Sequence, residues 1–163
     1  TTGGGTTIAN FSRPRSISVN SSEVVSGRET VWVADTNGNR IRRIVWTGSA
    51  WSYATGGGTN IANFSGPRSI SVNTTEAVNG LNTCWVADTG GNRVRKIYWT
   101  GSAWSYYTFT GFSSPYSVSV NTANSACWVA DYGNNRVVRL NMDGEEEFDI
   151  ALSGVVAVST NPD

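Results

Sequence analysis

The chain of 163 residues carries twelve basic and twelve acidic side chains, seven tryptophans and no histidine. Zero formal charge withholds the long-range attraction on which nucleic-acid and acidic-membrane binders rely, and no run reaches the ~20 apolar residues of a membrane-spanning helix. Without histidine the commonest general base and metal ligand is missing, and neither a Ser–His nor a Cys–His pair can be assembled.

In chain order, residues 1–10 read as a connection or N-terminal arm. The first residue is Thr1 rather than Met, so the chain reads as processed or excised, and the lack of a leader says nothing against secretion. Four short strands are predicted next: Ser16–Asn20, Thr30–Ala34, Arg40–Trp46 and Ala50–Ala54. Each is rich in branched or aromatic residues and bounded by Gly, Asn or Pro. No window holds a helical apolar stripe for three turns.

The series then repeats. Phe11-Ser-Arg-Pro-Arg-Ser-Ile-Ser-Val-Asn20 returns from Phe64 and, more loosely, from Phe112, while "WVADTNGNR" from Trp32 returns as "WVADTGGNR" from Trp85 and "WVADYGNNR" from Trp128. Asp35, Asp88 and Asp131 are therefore spaced by 53 and then 43 residues. The shortening falls between Asn121 and Cys127 and between Thr100 and Phe112, both polar stretches expected to be loops. Four antiparallel strands repeated every ~40–50 residues are the signature of a β-propeller blade, giving an all-β fold.

The expected division is blade 1 over 11–55, blade 2 over 56–110 and blade 3 over 111–150. Residues 151–163 contain Ser153–Thr160, the inner strand of a fourth blade and a candidate for donation to a neighbour. Serines alternating with Ile17 and Val19 keep one face of the inner strand thin near the axis. Trp46, Trp51 and Tyr53, with their counterparts Trp99, Trp104 and Tyr106, fill the gap as blades diverge.

From Phe11 to Met142 this order resembles the NHL-repeat family of β-propellers. The resemblance implies a ring of five or six blades. Some members of that family are metal-dependent lyases with histidine ligands, which this chain cannot supply, and others bind RNA, against which its zero charge and single lysine speak. Three blades cannot close a ring. Their two open faces must be covered by a second chain, by head-to-tail stacking or by a longer natural chain.

The repeated loop places Asp35, Asn39 and Arg40 at the same spacing as Asp88, Asn92 and Arg93, and as Asp131, Asn135 and Arg136. We read it as a structural turn, in which the carboxylate accepts backbone N–H groups and the arginine reaches back to it or on to the next blade. A calcium loop needs more acids than one per copy, and an anion site formed by the three arginines is the remaining option. No metal or cofactor is expected. Arg15, Arg68 and Tyr116 take equivalent places where the inner strand begins; they form a ligand-binding ring at the channel mouth or, the reading we favour, tie strands to nearby carboxylates.

Cys84 and Cys127 read as small buried residues without a bond between them. Asn10, Asn20, Asn63 and Asn73 begin glycosylation sequons, which with the lysine shortage point to an extracellular or cell-surface protein. The function expected is a non-enzymatic scaffold that associates with itself into a ring or filament. The alternative is a propeller that binds a carbohydrate or protein on its loop face.

Overall fold

The computed structural model describes Ile8 and residues 10–53, 60–61 and 63–160. The expectations for residues 1–7, 9, 54–59, 62 and 161–163 lie outside the described residues. Three antiparallel sheets follow one another along the chain, each in simple meander order. The first contains β1 (Pro14–Val25), β2 (Arg28–Asp35), β3 (Arg40–Trp46) and β4 (Trp51–Tyr53), with β5 (Asn60–Ile61) also paired to β3. The second is β6 (Pro67–Val78), β7 (Leu81–Asp88), β8 (Arg93–Trp99) and β9 (Trp104–Phe109). The third is β10 (Pro115–Asn121), β11 (Ala126–Asp131), β12 (Arg136–Asn141) and β13 (Glu146–Ala151).

Three details differ from the sequence expectation. The stretch from Thr100 to Phe112, expected to be loop, contains β9. The five extra residues between Asn20 and Val31, and between Asn73 and Cys84, are not loop but extensions of the β1–β2 and β6–β7 hairpins. Their register shifts after Asn20 and Asn73, and pairing resumes at Val24↔Glu29 and Ala77↔Asn82. Ser26-Gly27 and Asn79-Gly80 close these hairpins with φ of 51° and 81°, and 50° and 81°. Two successive positive φ angles make the turn whose twist matches the flanking strands. The first sheet also reaches beyond residue 55, because Ile61 and Asn60 pair with Ile41 and Arg42.

The core lies between sheets rather than within any one of them. Trp32, Ala34 and Ile41 of the first sheet pack on Ile70, Val72, Cys84, Val86 and Ile97 of the second. Trp85, Ala87 and Val94 then pack in the same way on Val118, Val120, Cys127, Val129 and Val138 of the third. The period-two pattern of each strand thus serves two interfaces, one per face.

The inner strands are joined across these gaps by serine. Ser16 and Ser18 accept the backbone N–H groups of Ile70 and Val72 at 3.2 and 3.1 Å. Ser69 and Ser71 do the same for Val118 and Val120 at 3.1 and 3.0 Å. An inner strand has one edge without a partner strand, and these hydroxyls satisfy donors that would otherwise be left on it.

The C-terminal segment continues the series without becoming a strand. Val158 and Thr160 donate their N–H groups to Ser117 and Ser119 at 3.3 and 3.1 Å. Val155 is buried against Ala130 and Val137. Residues 155–160 therefore hold the inner-strand position of a fourth unit on the third sheet of their own chain, but pair with no strand among the described residues.

Candidate functional site

The repeated Asp–Asn–Arg loop is a clamp at the end of each blade where β2 turns into β3. Asp35 is fully buried; its Oδ1 accepts the Ser12 N–H at 2.6 Å and its Oδ2 the Arg40 Nε at 2.8 Å. Asp88 repeats this with Ser65 N and Arg93 Nε, both at 2.6 Å, and Asp131 with Ser113 N and Arg136 Nε, both at 2.8 Å. Each arginine also donates to a carbonyl of the lead-in segment, that of Asn10, Asn63 or Gly111. Every one of these carboxylates is thus engaged on both oxygens by N–H donors. That arrangement ties the start of β1, β6 or β10 to its own sheet.

The asparagine of the loop reaches further. Asn39, Asn92 and Asn135 adopt left-handed backbone conformations with φ of 51°, 52° and 52°. From there Asn39 Oδ1 accepts the Gly66 N–H and Asn92 Oδ1 the Ser114 N–H, each at 2.8 Å, in the lead-in of the following blade. Thr36 and Thr89 add hydroxyl bonds of 2.7 Å to the carbonyls of Pro67 and Pro115. The loop therefore clamps within a blade through aspartate and arginine, and between blades through asparagine and threonine. The second function was hidden in the sequence, because turn propensity alone explains an asparagine there.

Behind the clamp lies a second arginine that the sequence reading passed over. Arg42 is buried with its guanidinium 4.3 Å from the Tyr53 ring centre and 5.0 Å from that of Phe11. Arg95 lies in the same way 3.9 Å from Tyr106 and 4.8 Å from Phe64. Burial lowers the pKa of both. A charge between rings two sequence positions after the clamp arginine is the signal that would have identified them. The third copy has Val138 at this place and lacks the arrangement.

Arg15, Arg68 and Tyr116 do come together, lining an open depression of about 300 Å³ with Val156. The favoured reading of their role is corrected. Among the described residues neither Arg15 nor Arg68 makes an ion pair. The Arg68 guanidinium instead lies 3.7 Å from the centre of the Tyr116 ring, which stacks at 4.3 Å and 2° on Tyr132. Tyr132 stands where the other two copies have the bridging threonine, so the third loop exchanges a hydroxyl bond for ring stacking.

The sequons divide into two pairs. Asn10 and Asn63 are exposed. Asn20 and Asn73 are 0% and 2% exposed and their amides are bonded inside the blade junctions, Asn20 Nδ2 to Asn82 Oδ1 at 3.0 Å and Asn73 Nδ2 to Glu76 Oε2 at 3.2 Å. On the folded chain those two have no room for a glycan, which corrects their place among the candidates. Cys84 and Cys127 are both free and fully buried, each in a different blade junction.

The two end faces of the array are open. Ile17 and Val19 are 67% and 45% exposed, whereas their equivalents Ile70, Val72, Val118 and Val120 are all at or below 9%. At the other end Phe148, Ile150, Leu152 and Val156 are exposed, and Trp128 is only partly covered where Trp32 and Trp85 are buried. An apolar depression of about 340 Å³ lies there beside Trp128, Val137 and Val155.

No protein-family model matches the sequence, and comparison with curated proteins gives no match. Solved structures do. The hydrazine synthase of Kuenenia stuttgartiensis superposes with a TM-score of 0.67 at 13% identity, over 91% of this chain and 39% of that one. Virginiamycin B lyase of Staphylococcus aureus gives 0.61 at 19% identity, over 92% and 45%. A chain of a nidogen/laminin complex gives 0.66 at 17% identity, over 91% and 52%. This chain spans about half or less of the length of each. At such identities the likeness is one of fold, and the fold is that of a β-propeller, present here as three four-stranded blades.

Proposed function

We propose that the chain is a non-enzymatic scaffold module of NHL-like propeller blades, secreted or held at the cell surface, which associates with further copies of itself through its two open faces. The observation that carries this reading is the contrast between Ile17, 67% exposed, and its equivalents Ile70 and Val118, both 4% exposed. Burying such a side chain is worth ~1.5–3 kcal/mol, and a face with Ile17, Val19 and Val24 offers that gain several times over. Opposite it stands another apolar face, built like the one that already receives each following blade. The pairing is head to tail, closing as a ring if the rotation permits and running on as a filament if it does not.

The non-catalytic reading is supported by the absence of histidine and by the full engagement of Asp35, Asp88 and Asp131 in the clamps. An extracellular setting is supported by the exposed sequons at Asn10 and Asn63 and by the single lysine. Light scattering over a wide concentration range tests association. A mass that rises to a multiple of the chain, and falls back in Val19→Asp, is expected. A monomer at every concentration overturns the reading.

A second reading has its own observation, the depression flanked by Arg15 and Arg68, neither with a carboxylate partner among the described residues. It favours a carbohydrate or protein ligand on the loop face. An NMR titration in which the backbone signals of Arg15, Arg68 and Tyr116 stay unmoved by any of a panel of glycans removes the carbohydrate half.

A further inference from the structure

The third sheet holds a strand-shaped seat on its open face, and the chain's own C-terminal segment sits in it. At the two internal junctions, the seat is two serine hydroxyls of one inner strand that accept alternate N–H groups of the next: Ile70 and Val72 on Ser16 and Ser18, then Val118 and Val120 on Ser69 and Ser71. At the open face Ser117 and Ser119 offer the same pair of acceptors, and Val158 and Thr160 fill them. Asn135 Oδ1 meets the Gly154 N–H at 3.5 Å, the place where Asn39 and Asn92 meet Gly66 and Ser114.

The imitation is incomplete in a way that weakens it. Each internal inner strand is backed by three further strands, which cover the outer part of the facing sheet. Among the described residues no strand stands behind the segment 155–160, and Phe148 and Ile150 are about half exposed and Trp128 only partly covered. Its two N–H bonds, the Thr160 hydroxyl bond to the Val120 carbonyl at 2.9 Å and one buried valine compete against a complete blade that would fill the same seat and bury the remaining aromatic surface as well.

At the other end of the molecule β1 bears the matching strand. Ile17 and Val19 occupy the positions of Ile70 and Val72, and of Val118 and Val120, whose N–H groups fill the serine seats inside the chain. Their side chains are the ones left exposed.

We propose that residues 153–160 are a placeholder for β1 of a second copy: the incoming β1 takes the Ser117–Ser119 seat, and the segment must leave it. The seat and its occupant deepen the self-association proposed above and rest on it. The segment therefore sets the threshold concentration for assembly, since every new junction requires one to be released.

The test uses the full chain with Val158→Pro and Thr160→Pro together. Proline has no N–H, and Thr160→Pro also removes the hydroxyl that bonds the Val120 carbonyl, so these bonds to the serine strand are lost while the three sheets keep all their strand pairs. Release is read from the indole resonance of Trp128 at a dilution where the chain is monomeric, and association from sedimentation equilibrium. The expected result is a shifted Trp128 signal and self-association at least about tenfold tighter than in the unsubstituted chain. A released segment with unchanged or weaker association overturns the placeholder and leaves self-association standing. An unmoved Trp128 signal overturns the seat itself. If neither chain associates although the segment is released, the self-association reading and the placeholder fall together.

Discussion

Ser16 Oγ accepts the Ile70 N–H at 3.2 Å across the gap between the first two blades. The bond explains why serine, rather than any other small residue, alternates with isoleucine and valine along the inner strands. A glycine or alanine would leave room equally well but would strand an edge donor. Ser69→Ala with Ser71→Ala should cost about 1 kcal/mol for each bond lost, read as a drop in urea midpoint at constant m-value. The same pair of changes at Ser117 and Ser119 should cost less, because they release only the C-terminal segment. Equal losses at both junctions would contradict this division.

Asp88 illustrates the clamp. Both oxygens are occupied, one by Ser65 N and one by Arg93 Nε, and the side chain is fully buried. Asp88→Asn keeps the size but ends the charge-assisted bond. Arg93 keeps some contact with solvent, but the buried Arg95 guanidinium, 3.7 Å from the same carboxylate oxygen, loses its counter-charge too, so the loss should be about 3–5 kcal/mol. Stability recovered in Asp88→Asn only when Arg93→Gln and Arg95→Gln are added together would show the penalty to lie in the two orphaned guanidinium groups.

Equivalent residues in different blades should respond differently. Ile70→Ala opens a cavity between two sheets and should destabilise by about 2–4 kcal/mol. Ile17→Ala touches an open face and should change the unfolding of the isolated chain by no more than about 0.5 kcal/mol, while weakening self-association. Chemical denaturation at low concentration, paired with a concentration series, separates the two effects.

Burial pushes the thiols of Cys84 and Cys127 well above their ordinary pKa. In the folded chain they stay protonated through the mildly alkaline range, whereas in the unfolded chain they ionise above about pH 8.5. The stabilisation is complete well below that pH and is lost as pH rises, by about 1 kcal/mol for each thiol over the first pH unit above it and approaching ~1.4 kcal/mol per unit beyond. Unfolding free energies between about pH 8.5 and 9.5 should fall accordingly. The slope should vanish in the Cys84→Ala, Cys127→Ala chain.

Gly144 turns at φ of 85° with the Phe109 ring directly against the position a Cβ would take. Gly111 has φ of 93° with open space around it. Gly111→Ala should cost about 1–2 kcal/mol from backbone strain alone, and Gly144→Ala more, since Phe109 must also leave its stack on Trp85. Thermal unfolding with near-ultraviolet circular dichroism would report both the loss of stability and the loss of that stack.

Much of the architecture is written locally. Alternation along Ser16–Asn20, β-formers before Asp35 and the Asn-Gly turns act between residues one or two apart, so the strands, their order and the threefold repetition can be read from the chain alone. The clamp aspartates and arginines are legible for the same reason, since five residues separate partners across a tight turn. Distant geometry decided the rest. Whether an isoleucine in the same Arg-Ser-Ile-Ser-Val setting is core or surface depends on a sheet some fifty residues away. For Ile70 that sheet is present, and for Ile17 no described residue supplies it. The same distance took Arg68 to the Tyr116 ring instead of a carboxylate and buried the sequons at Asn20 and Asn73. Strand periodicity sorts side chains onto two faces, but only the packing of whole sheets determines which face meets water.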